Sequence, residues 1–219
     1  MDYHSLKDFF DVLNNKVDYL VLRNYESFFS GSFMEDHPDI DILCTHPNDF
    51  LDAVSSYPRT KNKKDTIHRA VVIDGKAVAV DVRYVGDGYY CTAWEKEMLR
   101  TKEMYHSLCH VLNTENYYYS LLYHVHIQKD VISEDYMTKL SEQASALGLP
   151  AEEALSLRSL QHYMRERGYV FTYPVFPGGK AHFERVDKSM VERNPVRQIH
   201  RFLFKVKRRL KILCLWERR

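Results

Sequence analysis

Asp39-Ile40-Asp41-Ile42-Leu43 limits the fold of this chain more than any other stretch. Charged and apolar residues alternate with period two, the signature of a strand, so both aspartates fall on one face and both isoleucines on the other. A second run repeats the pattern: Val78, Val80 and Val82 share one face, while Ala77, Ala79, Asp81 and Arg83 share the other. An aspartate on a strand with an apolar far face either serves a function or solvates an edge. A D-x-D pair taken singly leaves both readings open.

The elements around these strands read as an α+β arrangement. Leu6, Phe9, Phe10 and Leu13 recur at helical spacing within Tyr3 to Leu13, ending near Asn14-Asn15, and Tyr19 to Leu22 reads as a strand. Asn24 to Pro38 is expected as loop, Pro47 opens a helix, Arg59 to Asp65 is a basic, polar loop, and Arg69 and the Lys61 to Lys64 cluster are expected to be solvated loop charges. Ile67 to Ile73 and Lys76 to Val82 flank Asp74-Gly75, a pair that tolerates positive φ and signals a hairpin. Gly86-Asp87-Gly88 closes the α/β part. From Trp94 the pattern turns mainly helical, with helices expected over Tyr117 to Lys129, Asp135 to Leu147 and Pro150 to Gly168. Phe171 to Phe183, with two prolines and Gly178-Gly179, is expected to be irregular. The boundaries are a core over 1–90, a helical region over 91–192 and a basic amphipathic terminal helix over 193–219.

A chain of 219 residues can bury a substantial core without covalent staples. Cys44, Cys91, Cys109 and Cys214 form no C-x-x-C pair, so neither a disulfide framework nor a zinc site is indicated, and a reducing, cytoplasmic setting is expected. Asp2, His4, Lys7 and Asp8 do not suit a secretory signal, and no window approaches the roughly 20 apolar residues of a membrane span. Charge is uneven: ten of the 31 Lys and Arg, but only Glu217 of the 30 acids, lie in 193–219. The tail therefore carries +9 and the first 192 residues −8.

Phosphoryl-transfer enzymes that use two metal ions need converging carboxylates, because hard divalent cations prefer oxygen ligands. Asp39 and Asp41 on one strand, with Asp81 on another, supply that set. The order is helix, strand ending Leu22-Arg23-Asn24, loop, strand with D-x-D, helix, then a strand with a lone aspartate. It resembles the nucleotidyltransferase-fold superfamily over about residues 1 to 90. The likeness is to bacterial members associated with surface-polysaccharide assembly, and more distantly to the phosphocholine- and ribitol-phosphate-transferring, fukutin-like group. The resemblance implies a nucleotidyltransferase-like mixed sheet flanked by helices and followed by a mainly helical C-terminal region. It also implies that Asp39, Asp41 and Asp81 bind magnesium (Mg2+, or Mn2+ in its place). Asp81 would hold a metal or take the acceptor proton. Where that superfamily usually has Gly-Ser after its first strand, this chain reads Arg23-Asn24; Gly31-Ser32 nearby follows no strand. Arg23 and Asn24 are the expected donor-phosphate contacts.

Arg83, on the face of Asp81, is a candidate for neutralising phosphate charge, and His124 and Lys129 for meeting an anionic substrate. His124 and His126, two apart on a helix, face different ways and are not expected to share a metal. Ile199, Phe202, Leu203, Val206, Leu210 and Leu213 recur at steps of three and four beside a stripe of Arg197, Arg201, Lys205 and Arg208, with Trp216 near the end. Such a helix either lies in an anionic membrane interface or docks on the acidic body. The acidic body and the lack of a recognised RNA or DNA module argue against nucleic acid. The expected function is a magnesium-dependent nucleotidyl- or phospho-alcohol transferase with a nucleotide-activated donor and a sugar or lipid-linked glycan acceptor, peripheral at the inner face of the membrane. A non-catalytic module of a membrane-associated assembly complex, or an RNA- or antibiotic-modifying nucleotidyltransferase, are the alternatives.

Overall fold

A computed structural model describes residues 2–29, 33–36, 38–174, 181–199, 202–204 and 206. Gly31-Ser32, Gly178-Gly179 and most of the basic tail lie outside the described residues. The protein is α+β, with a seven-stranded mixed sheet flanked by helices. Its strands are β1 (Tyr19–Val21), β2 (Asp39–Cys44), β3 (Tyr57–Pro58), β4 (His68–Ile73), β5 (Lys76–Tyr84), β6 (Glu103–Tyr105) and β7 (Cys109–Val111), in the spatial order β3-β4-β5-β2-β1-β7-β6. At the centre, β2 runs parallel to β5 and antiparallel to β1.

The helix α1 (Leu6–Lys16) starts where the Ser5 hydroxyl accepts from the Asp8 amide, and it buries Phe9, Phe10 and Leu13. With α3 (Pro47–Ala53), which buries Phe50, it packs against the sheet. Ile40, Ile42, Val78, Val80 and Val82 are fully enclosed, as the period-two pattern requires. Asp74 and Gly75 both take positive φ, at 49° and 69°, the twist that joins β4 to β5 tightly.

Several expectations need correction. The segment from Asn24 to Pro38 is not all loop: it contains a 3-10 turn (Tyr25–Phe29) and the single-turn helix α2 (Phe33–Asp36). The region after Trp94 is mainly helical, as expected, but it also holds two strands that the sequence reading did not name. Beyond α4 (Thr92–Arg100), β6 and β7 extend the sheet, with β7 parallel to β1 through Val21 and Val111. Strands of three residues are too short to carry a readable period of two. Arg69 is not a solvated loop charge. It sits buried on β4, where its guanidinium donates to the Ser56 and Asp65 carbonyls at 2.7 and 2.9 Å. The helix expected from Pro150 is broken: a 3-10 turn (Ala151–Glu153) precedes α7 (Leu157–Glu166), which Ser156 caps anew.

The C-terminal helices α5 (Thr114–Tyr123), α6 (Glu134–Ala146) and α7 attach through an aromatic cluster. Trp94 packs against Tyr90, Tyr123, Tyr163 and Tyr169. The Trp94 indole N–H donates to Asn116 at 2.8 Å, so the polar tip of this large group is satisfied. Among the described residues no helix is long and apolar enough to cross a membrane, and Cys44, Cys91 and Cys109 are free and buried.

Glu95, on α4, holds the turn that follows β5. Its carboxyl is fully buried and accepts the Gly86 and Tyr90 amides at 2.7 and 3.1 Å. Burial, with the nearby Asp87, pushes it up to about 8. Removing it orphans the buried Tyr90 amide and the half-buried Gly86 amide. We therefore expect Glu95→Ala to cost about 2 to 4 kcal/mol, read as a lower urea midpoint at unchanged slope.

Candidate active-site cleft

The polar face of β2 and β5 forms the floor of a cleft of about 380 Å³, lined by Arg23, Asn24, Asp39, Asp41, Asp81, Arg83, Tyr89, His124, Gln128, Lys129, Tyr136 and Pro174. All eight residues singled out in the sequence meet in this one place. In the parallel register Asp41 stands opposite Asp81, and Asp39 opposite Ala79, so the three carboxylates project from one sheet face.

Each aspartate has a different partner. Asp41 is buried and takes the Arg23 guanidinium at 2.9 Å. Asp81 pairs with Arg59, just beyond β3, a residue that the sequence placed only in a polar loop. Asp39 is the solvent-exposed member. Desolvation in the cleft, then the charges of Asp41 and Asp81, push its carboxyl up to about 6.

Arg23 does not reach out to grip a ligand. Its side chain is only 7% exposed; besides Asp41 it donates to the Tyr89 hydroxyl at 2.6 Å. Asn24 takes φ 62°, a left-handed conformation that asparagine tolerates better than most residues, and its amide oxygen accepts from Lys139. Arg23, expected as a donor-phosphate contact, is thus a fixed counterion of Asp41, followed by a residue in a left-handed bend. Arg83 lies 3.6 Å from the buried Asp87, with its guanidinium over the Tyr89 ring at 4.2 Å.

The far wall comes from the end of α5, which widens into a π-helical turn (His124–Gln128), a distortion common at functional sites. His124 meets Gln128 at 2.7 Å and the Tyr136 hydroxyl at 3.3 Å, whereas His126 bonds the Leu155 carbonyl at 2.9 Å. The two histidines thus go separate ways, as their spacing requires. Burial, then the Arg23 charge, holds His124 well below the usual imidazole range. It enters the cleft as a neutral hydrogen-bonding group, and Lys129 supplies the cation on that wall. Arg185 donates to the His126 and Lys129 carbonyls at 3.0 and 3.3 Å, closing the end of the π turn.

Tyr89, Gln128, Tyr136, Pro174 and Arg59 were missed in the sequence. No motif spacing marks them; Tyr89 alone had a cue, lying next to Gly86-Asp87-Gly88. Among the described residues, no three His, Cys, Asp or Glu side chains are gathered as a ready metal cage; Asp41 and Asp81 are each paired with an arginine. Three carboxylates, the oxygen donors that a hard divalent cation prefers, nevertheless share one face, and Asp39 is crowded by like charge.

An unfolded aspartate releases its proton near pH ~4, whereas Asp39 keeps its own to about 6. The native state therefore binds more protons in that window and loses stability as pH rises through it. We expect Asp39→Asn to flatten this slope and raise the melting temperature at pH 7 without metal, as thermal unfolding at stepped pH would show.

Comparison with protein families, with curated proteins and with solved structures returns no match for this chain.

Proposed function

We propose that this chain is a nucleotidyltransferase-fold enzyme, a magnesium-dependent transferase of nucleotidyl or phospho-alcohol groups working in cell-surface polysaccharide assembly. The observation that carries the reading is Asp41 set opposite Asp81, with Asp39 two residues earlier, on the polar floor of a cleft with cationic walls. The polysaccharide setting rests on the sequence resemblance. The basic composition of 193–219 supports a peripheral place on the inner face of a membrane.

Asp39, Asp41 and Asp81 would hold magnesium, which neutralises charge on the transferring group when bound. Arg83, on β5, and Lys129, after the π turn, both line the cleft and offer positive charge to an anionic donor. His124, Gln128 and Tyr136 offer neutral hydrogen bonds suited to the hydroxyls of a sugar or lipid-linked glycan. As the alternative to holding a metal, Asp81 would take the proton of the attacking hydroxyl once Arg59 has left it.

Calorimetry with nucleoside triphosphates and CDP-linked donors, with and without magnesium, tests the reading. Wild-type protein should bind a donor only with the metal, and Asp39→Asn and Asp81→Asn should weaken binding more than about tenfold while melting as cooperatively as wild type. Metal-independent binding, or binding indifferent to both substitutions, would sink the assignment. One observation favours a non-catalytic module instead: Arg23 and Arg59 already neutralise Asp41 and Asp81. That reading requires no aspartate-dependent binding in the same experiment.

A further inference from the structure

Residues 195–199, 202–204 and 206 are helical, and their apolar side chains stand in solvent. Val196, Ile199, Phe202 and Leu203 are 59, 56, 66 and 56% exposed. Val196, Ile199, Leu203 and Val206 follow one another by three, four and three residues, which sets them on one side of the helix. Arg197 belongs to the other side, and it is turned into the body. Its guanidinium donates to the Tyr173 and Gly86 carbonyls at 3.0 Å each and pairs with Glu192 at 3.4 Å. The helix is thus fixed with a cationic contact inward and its apolar side outward, so docking of that side on the protein's own body is not what these residues do. A contiguous apolar surface of this kind marks an interaction site.

Charge decides between occupants. The segment 193–219 carries +9, so a second copy seated on the same face would bring two strongly positive tails together. An anionic surface is attracted instead, and the reach of that attraction, roughly 8 to 10 Å in physiological salt, spans the width of a helix. We infer that the helix beginning at Pro195 binds an anionic lipid bilayer, with Val196, Ile199, Phe202, Leu203 and Val206 entering the headgroup region and the basic residues of the tail drawn to the lipid charge. Arg197 ties this helix to Tyr173, next to Pro174 of the cleft wall, so a surface-bound helix carries the cleft with it.

Full-length protein sedimented with vesicles tests this. It should pellet with phosphatidylcholine–phosphatidylglycerol vesicles, not with phosphatidylcholine alone, and less so as salt rises. Leu203→Asp should lower vesicle binding about tenfold or more with an unchanged circular dichroism spectrum and melting curve. Asp81→Asn should bind vesicles as wild type does, so failure of the lipid inference is separable from failure of the cleft assignment. Equal binding to both vesicle types, or by Leu203→Asp, would overturn it. So would a dimer that Leu203→Asp splits, or retention on RNA in place of vesicles.

Discussion

The buried pair of Arg23 and Asp41 is the interaction on which the cleft depends. Two charges enclosed to this degree lose their hydration, and close contact with further hydrogen bonds must offset the loss. The pair meets both conditions: Nε of Arg23 lies 2.9 Å from the carboxylate, and the Tyr89 hydroxyl takes another guanidinium proton. Arg23 follows β1, Asp41 lies on β2, and Tyr89 follows β5, so one guanidinium joins three elements that the sheet alone would leave free at their ends. Losing either partner would strand a buried charge, at a cost of about 3 to 5 kcal/mol. From Tyr89 the network continues through stacking to Arg83 and on to Asp87, and signs alternate along it.

The same accounting separates the three carboxylates. Asp41 is tied into the framework by an enclosed partner. Asp81 is held by Arg59, whose side chain is 36% exposed and can be resolvated at small cost. Asp39 is left crowded and partly protonated near pH 6. The three carboxylates thus differ in how firmly their charge is already met: most firmly at Asp41, less so at Asp81 and least at Asp39. A single D-x-D motif thus contains one aspartate in each of two physical states, which spacing alone does not reveal.

What the sequence made legible was whatever depends on local period. The phase of Asp39 and Asp41, the enclosed face of Val78, Val80 and Val82, and the positive-φ turn at Asp74-Gly75 all follow from neighbours along the chain. Eight of the cleft residues were also named in advance, Arg23 and Asn24 through the resemblance and not through the period, whereas Tyr89 and Gln128 were not. What stayed hidden depends on pairing across distance. β6 and β7 are three residues each, joined where His106 and Ser107 take positive φ without a glycine to announce it. Arg69 is buried only because Ser56 and Asp65 offer carbonyls from separate segments. Arg59 reaches Asp81 only because β3 and β4 fold back along β5.

The turn from Gly86 to Tyr90 shows why no local motif suffices to define this cleft. Glu95 holds its amides from one side, Thr172 bonds the Gly88 and Tyr90 carbonyls, and Arg197 bonds the Gly86 carbonyl. Gly88 has φ 75°, and a Cβ there would run into the Tyr173 carbonyl and the Arg197 guanidinium, so the close approach requires glycine. This turn presents Tyr89, which in turn positions Arg23 against Asp41 and stacks on Arg83. Groups at 172 and 197, far along the chain from the aspartates, thus help set the position of the cleft wall. The carboxylates give the site its chemistry, and the clamp on Gly86 to Tyr90 holds the counterions that keep one of them buried.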